Sequence, residues 1–227
     1  MIEVIILIKI TTSIIDVKQK ILLRRILPAL LITSITLTFF AFFVLKKNSN
    51  HFDKIKVNFT LETVHEDKFT QDEFLKKPSI IFFGFTHCPD VCPSSLQLLS
   101  NLIKELEDDA NKINFYFITA DPERDTKSIL KEYLNYFDKK IIGITGDKVE
   151  LNKLYQAFNI FIKRVELGNN NYTIDHTASF MILNQDAEKI GTMIHEGFSK
   201  LLVIDNFGKI QFPKENVANN IRKLLEL

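Results

Sequence analysis

Tryptophan is absent from this chain, and cysteine occurs only twice, as Cys88 and Cys92. Two thiols alone cannot fill a zinc site, which takes four protein ligands when structural. The pair is therefore either a redox couple or part of a low-coordinate soft-metal site. Net charge is also nearly lacking, and a formal value of +1 gives no argument for nucleic acid as a partner. Glycine is scarce at 7 residues, whereas phenylalanine reaches 20 beside many Ile, Lys and Asn. That bias reads as the coding habit of an AT-rich genome rather than as a functional signal.

Charge is missing altogether from Ile26 to Leu45. At ~1.5 Å per residue, about 20 residues cross a bilayer core of roughly 30 Å. Pro28 falls in the first turn, where a missing N–H costs little, and the Ser and Thr hydroxyls can bond back to the helix. The run is too long for a secretory signal and no small-residue cleavage site follows it, so it reads as an uncleaved single-pass transmembrane anchor. Arg24 and Arg25 precede it, and Lys9, Lys18 and Lys20 add to that side; Lys46 and Lys47 follow. Positive-inside reasoning then places residues 1–25 in the cytoplasm. Beyond a polar linker over 46–56, residues 57–227 face the periplasm of a bacterial inner membrane, or the intermembrane space of a mitochondrion. In such an oxidising space two cysteines close into a disulfide unless something reduces or metallates them.

Within 57–227, strands alternate with helices. Val57–Leu61, Ser79–Phe85, Ile113–Ala120 and Lys140–Thr145 read as strands. Leu96, Leu99, Ile103 and Leu106 recur at helical spacing, as do apolar positions after Asp125-Thr126 and after Gly146-Asp147. Gly168–Asn171 reads as a loop, two hairpin-like segments follow around Asn184–Asp186 and Asp205–Gly208, and a last helix starts near Pro213. The expectation is an α/β fold with a central mixed sheet flanked by helices.

The two cysteines sit in Phe83-Gly84-Phe85-Thr86-His87-Cys88-Pro89-Asp90-Val91-Cys92-Pro93, where a strand hands over to a helix. Free N–H groups and the helix dipole at that junction favour thiolate, the form that binds metal or attacks a disulfide. With three residues between them, the sulfurs fall on one face if a helical turn intervenes, close enough to share a metal or to close a bridge. A cysteine motif at the first βα junction makes the thioredoxin-like topology the leading candidate.

This run resembles the signature of the Sco/SenC family, membrane-anchored copper-binding proteins of cytochrome c oxidase assembly. Asp121-Pro122-Glu123-Arg124-Asp125-Thr126, Gly143-Ile144-Thr145-Gly146 and Asp175-His176-Thr177 are similar to its other landmarks, in the same order. The resemblance covers about residues 55–183, the anchor and the final helix. It implies Cys88, Cys92 and His176 as ligands of one copper per chain. Soft thiolates plus one imidazole suit Cu(I), and the same set holds Cu(II) with an added oxygen.

A lone His beside Asp is more often a surface or hydrogen-bonded core residue. Here the resemblance puts His176 where thioredoxin-like enzymes place a proline against their thiols, and the chain has no proline between Pro122 and Pro213. Asp175 is a candidate to orient its imidazole. His87, next to Cys88, is read as a packing or partner-contact residue, and His51 and His65 as solvated. His195 receives no role. Asp90 is a candidate for tuning the thiolates or meeting a basic partner, and Asp121 and Arg124 for fixing a loop.

The resemblance implies a metallochaperone that delivers copper to the binuclear site of cytochrome c oxidase subunit II. The alternative is a thiol–disulfide oxidoreductase that keeps that site's cysteines reduced. Other copper chaperones and thiol–disulfide reductases are further partners it allows. Thioredoxin-type oxidoreductases carry two residues between their cysteines and this chain carries three, which favours the first reading. A thiol peroxidase fits badly, since its Thr stands three positions before the reactive Cys and Thr86 stands two before Cys88. A purely structural Cys88–Cys92 disulfide closes too small a loop to stabilise much.

Overall fold

The structure is a computed structural model that describes residues 24, 28, 30–40, 54–65, 67–169, 171–196, 200–205, 210–211 and 217–226. The chain divides into two units, residues 1–51 and 52–227. In the first, helix α1 covers residues 30–40, and Thr33, Thr36 and Thr38 donate their hydroxyls back to carbonyls one turn earlier. Its Leu, Ile and Phe side chains are exposed. Most of the remaining positions of 26–45 lie outside the described residues. Among the described residues no helix is long and apolar enough to cross a membrane.

The second unit is built on β3 (Ser79–Gly84), whose six residues are all buried. Parallel neighbours need a crossover between them. Helix α2 (Val91–Leu106) leads from β3 to β4 (Asn114–Thr119), and α3 (Lys127–Leu134) leads from β4 to β5 (Ile141–Thr145), both pairs parallel. On the other side of β3, β8 (Ser179–Leu183) runs antiparallel. The chain enters through the hairpin β1 (Thr60–Thr63) and β2 (Lys68–Thr70), which pairs with β5. Beyond β8 the sheet continues through β9 (Lys189–Glu196), β10 (Lys200–Asp205) and β11 (Ile210–Gln211). The two hairpin-like segments of the sequence are thus an extension of the sheet.

Alternation along β3 sends Ile80 and Phe82 to one face and Ile81 and Phe83 to the other. The first face packs against α2, α3 and α5 (Val217–Leu225); the second packs against α4 (Lys148–Ala157) and the entering segment with Phe59, Phe69 and Phe74. A strand buried on both faces has no reason to alternate apolar with polar, and β3 does not. Arg222 fastens α5 to the end of α2, donating to Asp109 and to the carbonyls of Glu105 and Leu106.

The loop read at 168–171 joins two strands that the sequence pattern did not show, β6 (Ile162–Gly168) and β7 (Asn171–His176). The pair forms a two-stranded sheet of its own. Five of the seven β6 residues are exposed, which hides the strand period and is why the sequence pattern missed it.

Candidate metal centre

The site begins where β3 runs out. Gly84 leaves room for the cysteine helix: a Cβ there would stand 2.9 Å from the Cys92 sulfur and 2.9 Å from the Phe117 ring. The next turn is pinned from below by Asp125. Its buried carboxylate accepts the Thr86 hydroxyl and the Thr119 hydroxyl, each at 2.6 Å, and the Thr86 amide. Burial lifts the Asp125 carboxyl above the usual range in spite of those donors.

Helix α2 starts at Asp90, whose side chain makes no capping bond. The Cys88 sulfur takes that place and accepts the Cys92 amide at 3.4 Å. A thiolate there meets the positive end of the helix dipole. Cys88 is half-buried and Cys92 buried, and both are free thiols. The hydrogen bond from the Cys92 thiol, then bonds from His176 and from the Asp90 and Cys92 amides, draw the Cys88 thiol down to about 3 against the opposing effect of burial. Cys92 moves the other way, pushed up by the hydrogen bond it keeps to Cys88, by burial and by the Cys88 charge.

His176 closes the site from β7. Its Nε2 stands 3.6 Å from the Cys92 sulfur, across 84 positions of sequence. Its Nδ1 lies 3.1 Å from the Thr177 carbonyl. With its N–H at Nδ1 alone the ring satisfies that carbonyl and turns an Nε2 lone pair to the sulfurs, as ligation requires; with hydrogen on both nitrogens Nε2 donates to the Cys88 thiolate instead. The ring sits edge-on to Phe82 and Phe85, with centroids 6.4 and 5.7 Å away. Asp175 is exposed, and the ring N–H goes to Thr177 instead. The sequence could not reveal that partner, because a backbone carbonyl carries no residue signature.

Two donors bonded to one ion at about 2.3 Å for sulfur and about 2.0 Å for nitrogen stand about 3.5–3.7 Å apart at tetrahedral to trigonal angles. The Cys92–His176 spacing matches. The trio is nonetheless held by its own hydrogen bonds rather than as a ready-made cage. Among the described residues no group of three or more His, Cys, Asp and Glu is arranged to hold a metal ion.

His87 is exposed, and its Nδ1 meets the Thr86 hydroxyl at 3.0 Å. His65 is exposed as well. His51 and the side chain of His195 lie outside the described residues. Asp121 and Arg124 do pair, as expected of a loop clasp, but Arg124 also reaches Tyr172 of β7.

A model of the SCO1/SenC family matches residues 47–206. The chain belongs to that family. A SCO2-like protein of Rickettsia prowazekii is 36% identical over 138 residues, 59% of this chain and 67% of that protein. The mitochondrial SCO2 protein of Saccharomyces cerevisiae is 36% identical over 138 residues, which are 60% of this chain and 46% of the yeast protein. Among solved structures, Bradyrhizobium japonicum ScoI with copper bound is 34% identical, with a TM-score of 0.60 over 64% of this chain and 92% of that one. Yeast Sco1 with copper bound is 32% identical, with a TM-score of 0.54 over 60% of this chain and 76% of the other. The fold of this SCO1/SenC chain is thioredoxin-like, with the mixed sheet and flanking helices expected from its sequence.

Proposed function

We propose that this chain is a membrane-anchored copper metallochaperone that binds one copper ion through Cys88, Cys92 and His176. The observation that carries the reading is the approach of His176 Nε2 to the Cys92 sulfur at 3.6 Å, beside a thiol already drawn toward thiolate. Relatives of the chain carry copper in their solved structures. Two thiolates and an imidazole are a soft set suited to Cu(I) and able to keep Cu(II). Gathering all three about an ion requires the Cys88 sulfur to give up the amides and the Cys92 thiol that it accepts, and Cys92 to lose its proton.

The Sco family is one of cytochrome c oxidase assembly proteins. We assign the binuclear copper site of oxidase subunit II as the recipient, because a half-exposed Cys88 gives an incoming thiolate a way to the ion. The exposed apolar side chains of α1, inside an uncharged stretch from Ile26 to Leu45, support a single-pass anchor in a bacterial or mitochondrial inner membrane. Residues 57–227 then form the copper-binding domain on the outer side.

The test is copper reconstitution of the full chain in detergent. One copper per chain is expected, released when Cys88 and Cys92 are oxidised to a disulfide. Copper held at full occupancy after the bridge closes contradicts shared ligation.

A second reading rests on the opposed shifts of the two thiols. As a reductase, the Cys88 thiolate attacks a partner's disulfide and frees one partner thiolate. Cys92 then loses its proton to solvent and attacks the Cys88 sulfur, freeing the second. Two electrons pass to the partner, the Cys88–Cys92 disulfide remains, and an external dithiol reductant must restore it. Failure of the protein to reduce a disulfide between copper-site cysteines at any ratio removes this role.

A further inference from the structure

The hairpin β6–β7 shares no ladder with the nine-stranded sheet, yet its last residue is His176. The reach of the imidazole is therefore set by whatever holds the hairpin down. Tyr172, Ile174 and His176 fall on one face of β7 by the period of two. Ile174 is buried in the same core cluster as Cys92. Tyr172 is gripped differently.

The Arg124 guanidinium carbon lies 3.7 Å from the centre of the Tyr172 ring, and that of Arg164 lies 3.5 Å from it. Two cations this close to one centroid repel each other unless the ring separates them, so the ring stands between them. Each charge has its own counterion: Asp121 for Arg124, and Glu123 with Glu166 for Arg164. The Tyr172 hydroxyl donates to Asp121 at 3.0 Å, and Arg124 donates to the Tyr172 carbonyl at 3.0 Å. Arg124 also lies 5.9 Å from the Phe85 ring, which is the ring flanking His176. Its buried Nη2 has no hydrogen-bond partner among the described residues. Leaving that donor unpaired is costly, and stacking on aromatic faces is what offsets it. One guanidinium thus touches both the hairpin and the turn that presents Cys88.

We propose that the Arg124–Tyr172–Arg164 sandwich is the positioning device of the metal site, holding His176 at ligand distance from the sulfurs. Tyr172, Arg124 and Arg164 are positioning residues that touch no metal. With the sandwich intact the site is a three-donor site; without it the hairpin swings and two thiolates remain. The inference rests on the reading of Cys88, Cys92 and His176 as ligands, and its test has an arm that needs no copper.

The full chain in detergent is compared with Tyr172→Leu, which keeps apolar bulk but loses the π face, and Tyr172→Phe, which keeps the sandwich and loses only the hydroxyl. Without copper, the His176 ring protons are read by NMR, where the Phe82 and Phe85 rings shift them. With copper, Cu(II) affinity is measured by competition. Tyr172→Leu is expected to move the His176 resonances toward those of a free imidazole and to weaken Cu(II) by about 10–100-fold, with Tyr172→Phe close to wild type. The amide resonances of β1 and β5, which lie away from the hairpin, are expected to be the same in all three chains. Unmoved His176 resonances in a folded Tyr172→Leu overturn the proposal, as do β1 and β5 amide resonances that shift along with the affinity, which mark general damage. If Tyr172→Leu does not fold, Arg164→Ala takes its place with the same two outcomes. A wild-type chain that binds no copper refutes the ligand reading, while the resonance shifts still decide whether the sandwich positions His176.

Discussion

The Cys88 sulfur accepts the Cys92 thiol and also takes the place that a carboxylate or hydroxyl takes at other helix starts, and together these set its chemistry. Its folded pKa lies below the ordinary thiol value, so the stabilisation is present above that ordinary value. It is lost as pH falls toward about 3. Alkylation by iodoacetamide reads the thiolate directly. Cys88 is expected to react at a nearly constant rate between about pH 5 and 8, with Cys92 protected by burial and by its raised pKa. Cys92→Ala removes the largest cause of the shift and is expected to move the fall in rate to higher pH. A Cys88 rate that climbs steadily through pH 8 contradicts the capping account. At this scale the sequence was informative where residue type is the signal. Cys88 and Cys92 stood out by type and His176 only through the family resemblance, and the structure brings the His176 ring to the Cys92 sulfur. The Thr177 carbonyl and the ring of Tyr172 were not legible, since neither a backbone acceptor nor a lone tyrosine in a polar stretch has a pattern.

Among the elements, legibility followed burial. Strands β3, β4 and β5 are buried on both faces and appear as apolar runs, so their order and the helices between them could be read from hydrophobicity alone. The hairpin β6–β7 is exposed over most of its length, with Ile174 its one buried residue, and neither strand showed a readable period. The strands after β8 were visible as segments, but their joining into one sheet edge depends on pairing between distant residues. Because the hairpin stands outside the main sheet, its apolar anchor should matter more to the site than to the fold. Ile174→Ala is expected to cost about 2–5 kcal/mol, the range for truncating a buried aliphatic side chain. The loss should appear first as faster amide exchange in β6 and β7, with β3 and β4 protected as before. Uniform acceleration across the sheet would mean that the hairpin does not open as a unit.

For the whole molecule, an apolar helix precedes an α/β domain, in a chain whose formal charge of +1 is close to balanced. The anchor is a proposal with a direct check. The full chain is expected to stay with membranes after alkaline carbonate washing, whereas a chain starting at residue 46 is expected in the supernatant. Release of the full chain by carbonate would leave α1 as an ordinary amphiphile. The domain supplies the sheet, the sheet delivers two thiols, and a separate hairpin brings His176, the proposed third donor. Pulsed electron paramagnetic resonance of the full chain loaded with Cu(II) interrogates that third donor directly. The account predicts one directly bound imidazole nitrogen in the wild type, absent in His176→Ala while sulfur ligation persists. An imidazole signal of undiminished strength in His176→Ala would contradict it.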